Sequence, residues 1–310
     1  MEDANSDSSV DLETRVPVSV GIMAYNEESL IHLALAGFAD QQQGDIYIDE
    51  IIVVITGSID KTESIVRAAA QNDDRIRIVL EPVRKGKIFS VINFLGQARN
   101  EICVISSADV IPGKNCLDKL AGPLIRDPNI GMTGPRITPQ TLGQKPNFAE
   151  RLHEELWQLH HLVALTRPKL GELVMVRHTF ATDVRSVAGC DEVMLEASIA
   201  ESGGELSYVP EALVSNFGAT KLSDYLRVRR RNHSMHLVTQ RELGYGPSTL
   251  PVRNLIRPIL RDVVRRPRRI PYIITITVFE IAMRSAARWS FYRGSTMMTW
   301  EPSKSARVSS

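Results

Sequence analysis

Three cysteines in 310 residues, Cys103, Cys116 and Cys190, form an odd set without metal-site spacing. That scarcity excludes a disulfide scaffold and a structural zinc site, and it points to a reducing, cytoplasmic compartment. The net charge is only +1, so charge as a whole implies no nucleic-acid partner. The N-terminus has no basic stretch followed by an apolar one, so no signal peptide is expected. No apolar run reaches the roughly 18–20 residues of a membrane span. There is no HExxH pattern, so His153, His160 and His161 are expected in surface or packing roles. No 20–50-residue repeat is present. A phosphate-binding P-loop is excluded too, because Ile88 follows Gly86-Lys87 where Ser or Thr is required.

What is present is an ordinary globular composition, 43% hydrophobic and 24% charged, in a chain long enough for one large α/β domain with appendages. Residues 1–15 hold five carboxylates and little apolar content, which predicts a disordered acidic tail. Apolar runs predict strands at Val16–Ala24, Ile51–Ile55, Ile76–Leu80 and Ile102–Ile105, with helical patterns at 29–41, 63–71 and 88–98 between them. That alternation argues for βαβ units and a mostly parallel central sheet flanked by helices. The fourth run, Ile102-Cys103-Val104-Ile105, stops at Ser106-Ser107-Ala108-Asp109. An aspartate at the C-terminal lip of a buried parallel strand sits where open α/β sheets bind ligands. It suits a hard cation such as Mg2+ or Mn2+ with phosphate oxygens as the other ligands; it equally suits a turn cap.

Short motifs then follow in a telling order. Ala24-Tyr25-Asn26-Glu27-Glu28 follows the first strand, and Thr56-Gly57-Ser58-Ile59-Asp60-Lys61-Thr62 the second. Arg84-Lys85-Gly86-Lys87 opens a helix containing Asn93, Ser107-Ala108-Asp109 ends a strand, and Gly189-Cys190-Asp191-Glu192 precedes a helix. Leu226 to His236 reads LRVRRRNHSMH. In this order, over roughly 16–244, the chain resembles the family 2 glycosyltransferases, which have the Rossmann-like GT-A fold and use nucleotide-diphosphate sugars.

The resemblance implies a nucleotide-sugar site made by Ala24, Tyr25, Asn26, Glu27, Thr56, Gly86, Lys87, Ala108 and Asp109. It implies a divalent cation, Mn2+ or Mg2+, on Asp109 and His236, with Arg230, Arg231 and His236 at the diphosphate. Asp191 or Glu192 would be the catalytic base of an inverting transfer. Aligned strictly, Glu192 takes the base position, with the order of the two carboxylates inverted relative to the family. Serine at 107 replaces the first aspartate of the metal motif. Ile55 and Thr56 stand where the family often has two aspartates, so the usual carboxylate contact to the base is missing from an expected UDP-sugar site. Pro168–Leu173 occupies the place of a glycine-containing segment near donor sugar and acceptor, and Trp300–Arg307 resembles the family's C-terminal ending. Residues 16–112 are expected as the nucleotide half and 113–244 as the acceptor half. Two rival readings are a nucleotide-sugar binder that has lost catalysis, suggested by Ser107 and Ile55, and a nucleotidyltransferase, whose basic glycine-rich N-terminal loop is missing.

Residues 245–310 are of another kind. Between Arg253 and Arg269 lie seven arginines and one acid, Asp262, interleaved with Leu255, Ile256, Ile259, Leu260, Val263 and Val264. This basic amphipathic pattern, broken by Pro258 and Pro267, predicts a helical extension lying on an anionic membrane surface. Residues 270–287 are apolar but carry Glu280 and Arg284, as an in-plane or a packing helix would. Interleaved aromatics are lacking, which argues against nucleic acid. The expected protein is a peripheral enzyme at the cytoplasmic membrane face, with a hydroxyl acceptor such as a lipid-linked or cell-envelope glycan.

Overall fold

The computed structural model describes residues 15–294 apart from positions 43, 142, 144 and 186–188. The acidic tail, save Arg15, and the Trp300–Arg307 ending lie outside the described residues. Apolar, β-branched segments make the first strands: β1 (Val16–Ala24), β2 (Ile46–Thr56), β3 (Ile76–Glu81) and β4 (Ile102–Ser107). Between them run α1 (Ile31–Ala39), α2 (Thr62–Ala70) and α3 (Lys87–Leu95). Among themselves these four strands pair in parallel, in the order β3-β2-β1-β4. The chain winds outward from β1 to β3 and then returns to the other side of β1. The point of reversal, between β1 and β4, opens a crevice at the strands' carboxyl ends.

The second half continues the same sheet with different pairing. It contributes β5 (Val110–Pro112), α4 (Cys116–Arg126), β6 (Ile130–Ile137), α5 (Phe148–Ala164), β7 (Leu173–Arg177), α6 (Asp191–Glu201) and β8 (Glu205–Asn216). The full order is β3-β2-β1-β4-β7-β6-β8-β5, with β7 antiparallel to both its neighbours and β5 antiparallel to β8. The parallel expectation therefore holds for the first half, and antiparallel pairs enter at β7. Two apolar layers cover the faces. Phe38, Leu117, Leu120 and Leu124 belong to one, and Phe94, Met194, Leu195 and Ile199 to the other. Gly21 shows how close β1 and α3 come: a Cβ there would lie 2.6 Å from the Phe94 ring.

Three helices follow: α7 (Leu222–Leu243), α8 (Arg253–Arg265) and α9 (Ile270–Tyr292). Leu152, Ala219, Tyr225 and Ile276 form a third core that fastens α9 to α5 and α7. Pro258 lies within α8 and does not end it, contrary to expectation; lacking an N–H, it removes only one backbone hydrogen bond. Pro267 does end it, opening a short 3-10 turn. A second correction concerns length. The helical stretch Pro267–Tyr292 is long and apolar enough to cross a membrane by length and composition. Its charged residues Glu280 and Arg284 look inward, however. Glu280 accepts from Arg229 Nε at 2.6 Å and Nη2 at 3.0 Å, and lies 2.7 Å from His233 Nε2. Arg284 donates to the carbonyls of Leu250 and Thr249 at 3.0 and 3.1 Å.

Candidate active site

The crevice at the sheet's carboxyl edge widens into a cavity of about 1020 Å³. Each strand end delivers a loop to it. After β1, Tyr25 lies with the Arg84 guanidinium 3.9 Å over its ring centroid, a cationic-aromatic pair suited to a flat nucleobase. Asn26 adopts φ 52°, a left-handed conformation that asparagine tolerates better than most residues. Its backbone N–H donates to Ser58 Oγ at 3.0 Å, and its Oδ1 accepts from Ile59 N–H at 2.9 Å. Asn26 thus staples the loop after β1 to the loop after β2. Glu27 is buried, with its N–H on Thr62 Oγ1 at 2.8 Å. Ala24, Glu27, Thr56, Gly86, Lys87, Ala108 and Asp109 all line the cavity. Thr56 Oγ1 donates to Glu81 Oε2 at 2.7 Å, so β3 supplies a carboxylate behind the position where β2 has none.

Gly86, at φ 118°, turns the chain into α3, placing Lys87 at the helix start. Its ammonium reaches across the cavity to the first residues of α6, 2.8 Å from Asp191 Oδ2 and 3.2 Å from Glu192 Oε1. Asp191 and Glu192 sit in the first turn of α6, where the helix field favours carboxylates. Cys190 Sγ donates to Glu192 Oε2 at 3.1 Å. Burial, and then the Glu192 charge, push Asp191 up to about 6. Burial works to raise Glu192 as well but is outweighed by Lys87 and Lys169, which hold it well below the usual carboxylate range. Lys87 is thereby the hub of the site, bridging the helix that would face a diphosphate and the helix that carries the candidate bases.

Glu172 and Lys169 also line this cavity, and their sequence neighbourhood had suggested only a glycine-containing segment. Glu172 has φ 65°. Burial, then the Asp109 and Glu192 charges, push its carboxyl up to about 8. One turn along α6, the fully buried Glu196 accepts the Leu170 N–H at 2.7 Å and holds this loop against the helix. The signal in the sequence was a lone acid, Glu172, at the mouth of the apolar run Leu173–Val176.

Burial is the first cause that pushes Glu196 up to about 7. Its folded pKa lies above the unfolded value, so the protonated folded form is favoured: its contribution is fully present below about pH 4.5 and is lost as pH rises through about 7. The shift from 4.5 to about 7 corresponds to about 3 kcal/mol. Urea titrations of wild type and Glu196→Gln should therefore diverge, with the variant gaining stability relative to wild type by that order between pH 5 and 8. A constant difference across that range would show that the buried carboxyl does not titrate there.

Arg231 and His236 face the cavity from α7. His236 is buried, and burial first, then Lys169, hold it well below the ordinary histidine range, so it is a neutral imidazole able to accept a bond or ligate. Arg230 corrects an expectation. Its Nη2 donates to Ser290 Oγ on α9 at 2.5 Å, and it does not line the cavity. Successive helical residues point about 100° apart, so Arg230 leaves α7 toward α9 while Arg231 faces the cavity.

The donor set fits a hard cation at Asp109. Among the described residues the Asp109 carboxylate is engaged only by its own backbone N–H and the Glu172 carboxylate by no hydrogen bond or ion pair, and both face the cavity. Cys190, Asp191 and Glu192 also bring three ligand atoms within 4.8 Å of one another. The Lys87 ammonium already fills that position, so a cation there would meet a like charge.

At its other end the cavity is apolar. Leu156 of α5, Ile256 and Leu260 of α8, and Ile276 and Ile281 of α9 line it, so one cavity joins the carboxylates to the groove between α8 and α9. Val252, Ile256, Leu260 and Val264, four residues apart, form an exposed stripe along α8. Six of the seven arginines flank it, exposed; the seventh, Arg269, turns inward to Glu155 of α5 and Asp262 of α8.

Structures of similar shape are known. A mannosyltransferase from Pyrobaculum calidifontis, in complex with GDP-Man and Mn2+, matches with a TM-score of 0.65 and 20% identity, covering 90% of this chain and 87% of that one. Glucosyl-3-phosphoglycerate synthase from Mycobacterium tuberculosis, in complex with Mn2+, UDP and glucosyl-3-phosphoglycerate, matches at 0.52 and 21% identity, covering 75% and 81%. At such identities these likenesses establish the GT-A fold. No curated protein sequence matches the chain. The family model described as glycosyl transferase family 2 matches residues 19–182, more than half of the 310 residues. With its strand order, its crevice and this match together, the chain belongs to glycosyl transferase family 2 and is a glycosyltransferase.

Proposed function

We propose that the enzyme transfers a sugar, with inversion, from a nucleotide-diphosphate donor to the hydroxyl of a lipid-linked acceptor at the cytoplasmic membrane face. One observation carries the reading: a single cavity runs from Lys87, Asp109 and Glu192 to an apolar groove between α8 and α9, beside an arginine-flanked exposed stripe. The acceptor's polar head would sit at the carboxylates and its hydrocarbon in the groove. Six exposed arginines would each add roughly 1 kcal/mol on anionic lipid.

Tyr25 and Arg84 hold the nucleobase, with Thr56 and the Asn26-stapled loop behind it. Lys87 and Arg231 hold the diphosphate, and Arg231 adds two-pronged hydrogen bonding as the leaving group gains charge. A divalent cation, held by Asp109 with His236 nearby, would neutralise further phosphate charge. Engaging the diphosphate draws Lys87 away from Glu192 and raises the basicity of that carboxylate. Glu192 then takes the acceptor hydroxyl's proton as the oxygen bonds to the anomeric carbon and the sugar–phosphate bond breaks. Asp191, its negative neighbour, sets the basicity of the pair.

Nucleoside diphosphate release from UDP-, GDP- and dTDP-sugars, with Mn2+ or Mg2+ and membrane extract, tests this. One donor should be consumed, dependent on metal and lost in Asp109→Ala, with labelled sugar entering the organic-extractable fraction. Label confined to water-soluble product would remove the lipid acceptor, and binding without turnover would remove the transfer mechanism.

A further inference from the structure

We infer that Glu172 is a ligand of the cation site, supplying from the residue that leads into β7 the carboxylate that Ser107 does not supply from the end of β4. The inference rests on the reading of the enzyme as a cation-dependent user of nucleotide-diphosphate donors. It goes beyond that reading by moving one ligand to the start of another strand.

The pairing of β4 with β7 makes the argument. Ser106 and Leu173 are the last pair of the antiparallel register, and Ser107 and Glu172 are the next residues along the two chains. The Ser107 N–H donates to the Glu172 carbonyl at 3.4 Å, so the two backbones remain adjacent past the last ladder pair. The Glu172 carboxyl is close enough to feel the Asp109 charge as the strongest influence after burial, and Ser107, Asp109 and Glu172 line one cavity.

Two further facts set Glu172 apart from a structural acid. Its carboxylate has no hydrogen bond or ion pair among the described residues, whereas Asp191 and Glu192 hold Lys87 and Glu196 holds the Leu170 N–H. It also occupies a left-handed conformation, φ 65°, where glycine would be unstrained. Strain kept at a position facing a ligand cavity is the pattern of a residue retained for what it binds. Carboxylate oxygens from the ends of two strands, with diphosphate oxygens and His236 nearby, would suit Mg2+ or Mn2+.

The test is Mn2+ binding, read from the electron paramagnetic resonance signal of free Mn2+, with UDP or GDP present. Wild type is compared with Glu172→Gln, Glu172→Gly and the double variant Ser107→Asp/Glu172→Gln. Glu172→Gln should weaken Mn2+ binding by roughly tenfold or more, and the double variant should recover most of that loss. Glu172→Gly should bind Mn2+ as weakly as Glu172→Gln while melting no lower than wild type, because glycine relieves the strained backbone. Equal Mn2+ binding by wild type and Glu172→Gln would overturn the inference alone. Absence of Mn2+ binding by wild type with either nucleotide would overturn it together with the cation-dependent donor reading.

Discussion

Glu192→Gln is expected to lower kcat by about 10³-fold, close to 4 kcal/mol of transition-state stabilisation, while leaving donor binding within a few-fold of wild type. The amide keeps the shape of the side chain but cannot take the acceptor's proton. Asp191→Asn should behave differently. It removes the like charge beside Glu192 without removing the base, so activity should fall less. The acid limb of kcat/KM should move to lower pH. The sign follows from the pair: a base works when deprotonated, and Asp191, pushed up to about 6 by burial and by Glu192, places the upper ionisation of the pair there. Activity is therefore lost as pH falls through about 6 in wild type, and the loss begins lower in Asp191→Asn. The reverse pattern, with Asp191→Asn inactive and Glu192→Gln merely shifted, would assign the base to Asp191.

Glu280→Ala should destabilise the protein by about 3–5 kcal/mol in urea unfolding. The Glu280 carboxylate holds two Arg229 nitrogens and stands at His233 Nε2, and all three side chains are less than one-fifth exposed. Burial works to raise Glu280 but is outweighed by Arg229 and His233, which hold it far below the usual carboxylate range. Cutting the carboxylate leaves the Arg229 cation buried without its partner, the costly half of a broken ion pair. Replacing both residues by methionine, which fills similar space without charge, should return most of the lost stability. Limited proteolysis gives a second readout, since Glu280→Ala should loosen α9 from α7 and expose the segment before α8. Equal urea midpoints for wild type and Glu280→Ala would show that apolar packing around Ile276 alone holds α9.

Glu280 and Arg284 also mark where linear reading of the chain stopped. As sequence, two charges in an apolar run counted against a span and left the helix between two roles. In the fold those charges meet Arg229, His233 and the carbonyls of Thr249 and Leu250, while Ile274, Val278, Ile281 and Trp289 remain exposed. The helix packs by a side that carries those charges together with Ile273 and Ile276, and presents a separate apolar stripe. A hydropathy pattern records which residues are apolar and at what period, but not which stripe meets a neighbour.

The same division runs through the catalytic site. Strand and helix positions up to Asp109 were legible because each is a local property: β-branched runs make buried strands, and glycine or small polar residues end them. The order of motifs then named the family, since the loops that bind a nucleotide diphosphate are short and contiguous. Lys87 and the Asp191–Glu192 pair were each visible separately, but not their 2.8 and 3.2 Å contacts across 104 and 105 positions of chain. Arg230 and Arg231 were indistinguishable as letters until the phase of α7 turned one to Ser290 and the other to the cavity. Glu172 had no motif at all, because its meaning comes from lying beside Ser107. By itself the sequence determined the elements of the first half, their parallel order and the family. Tertiary structure alone decided which charges face one another, because strand register and helix phase bring together side chains that no local pattern connects.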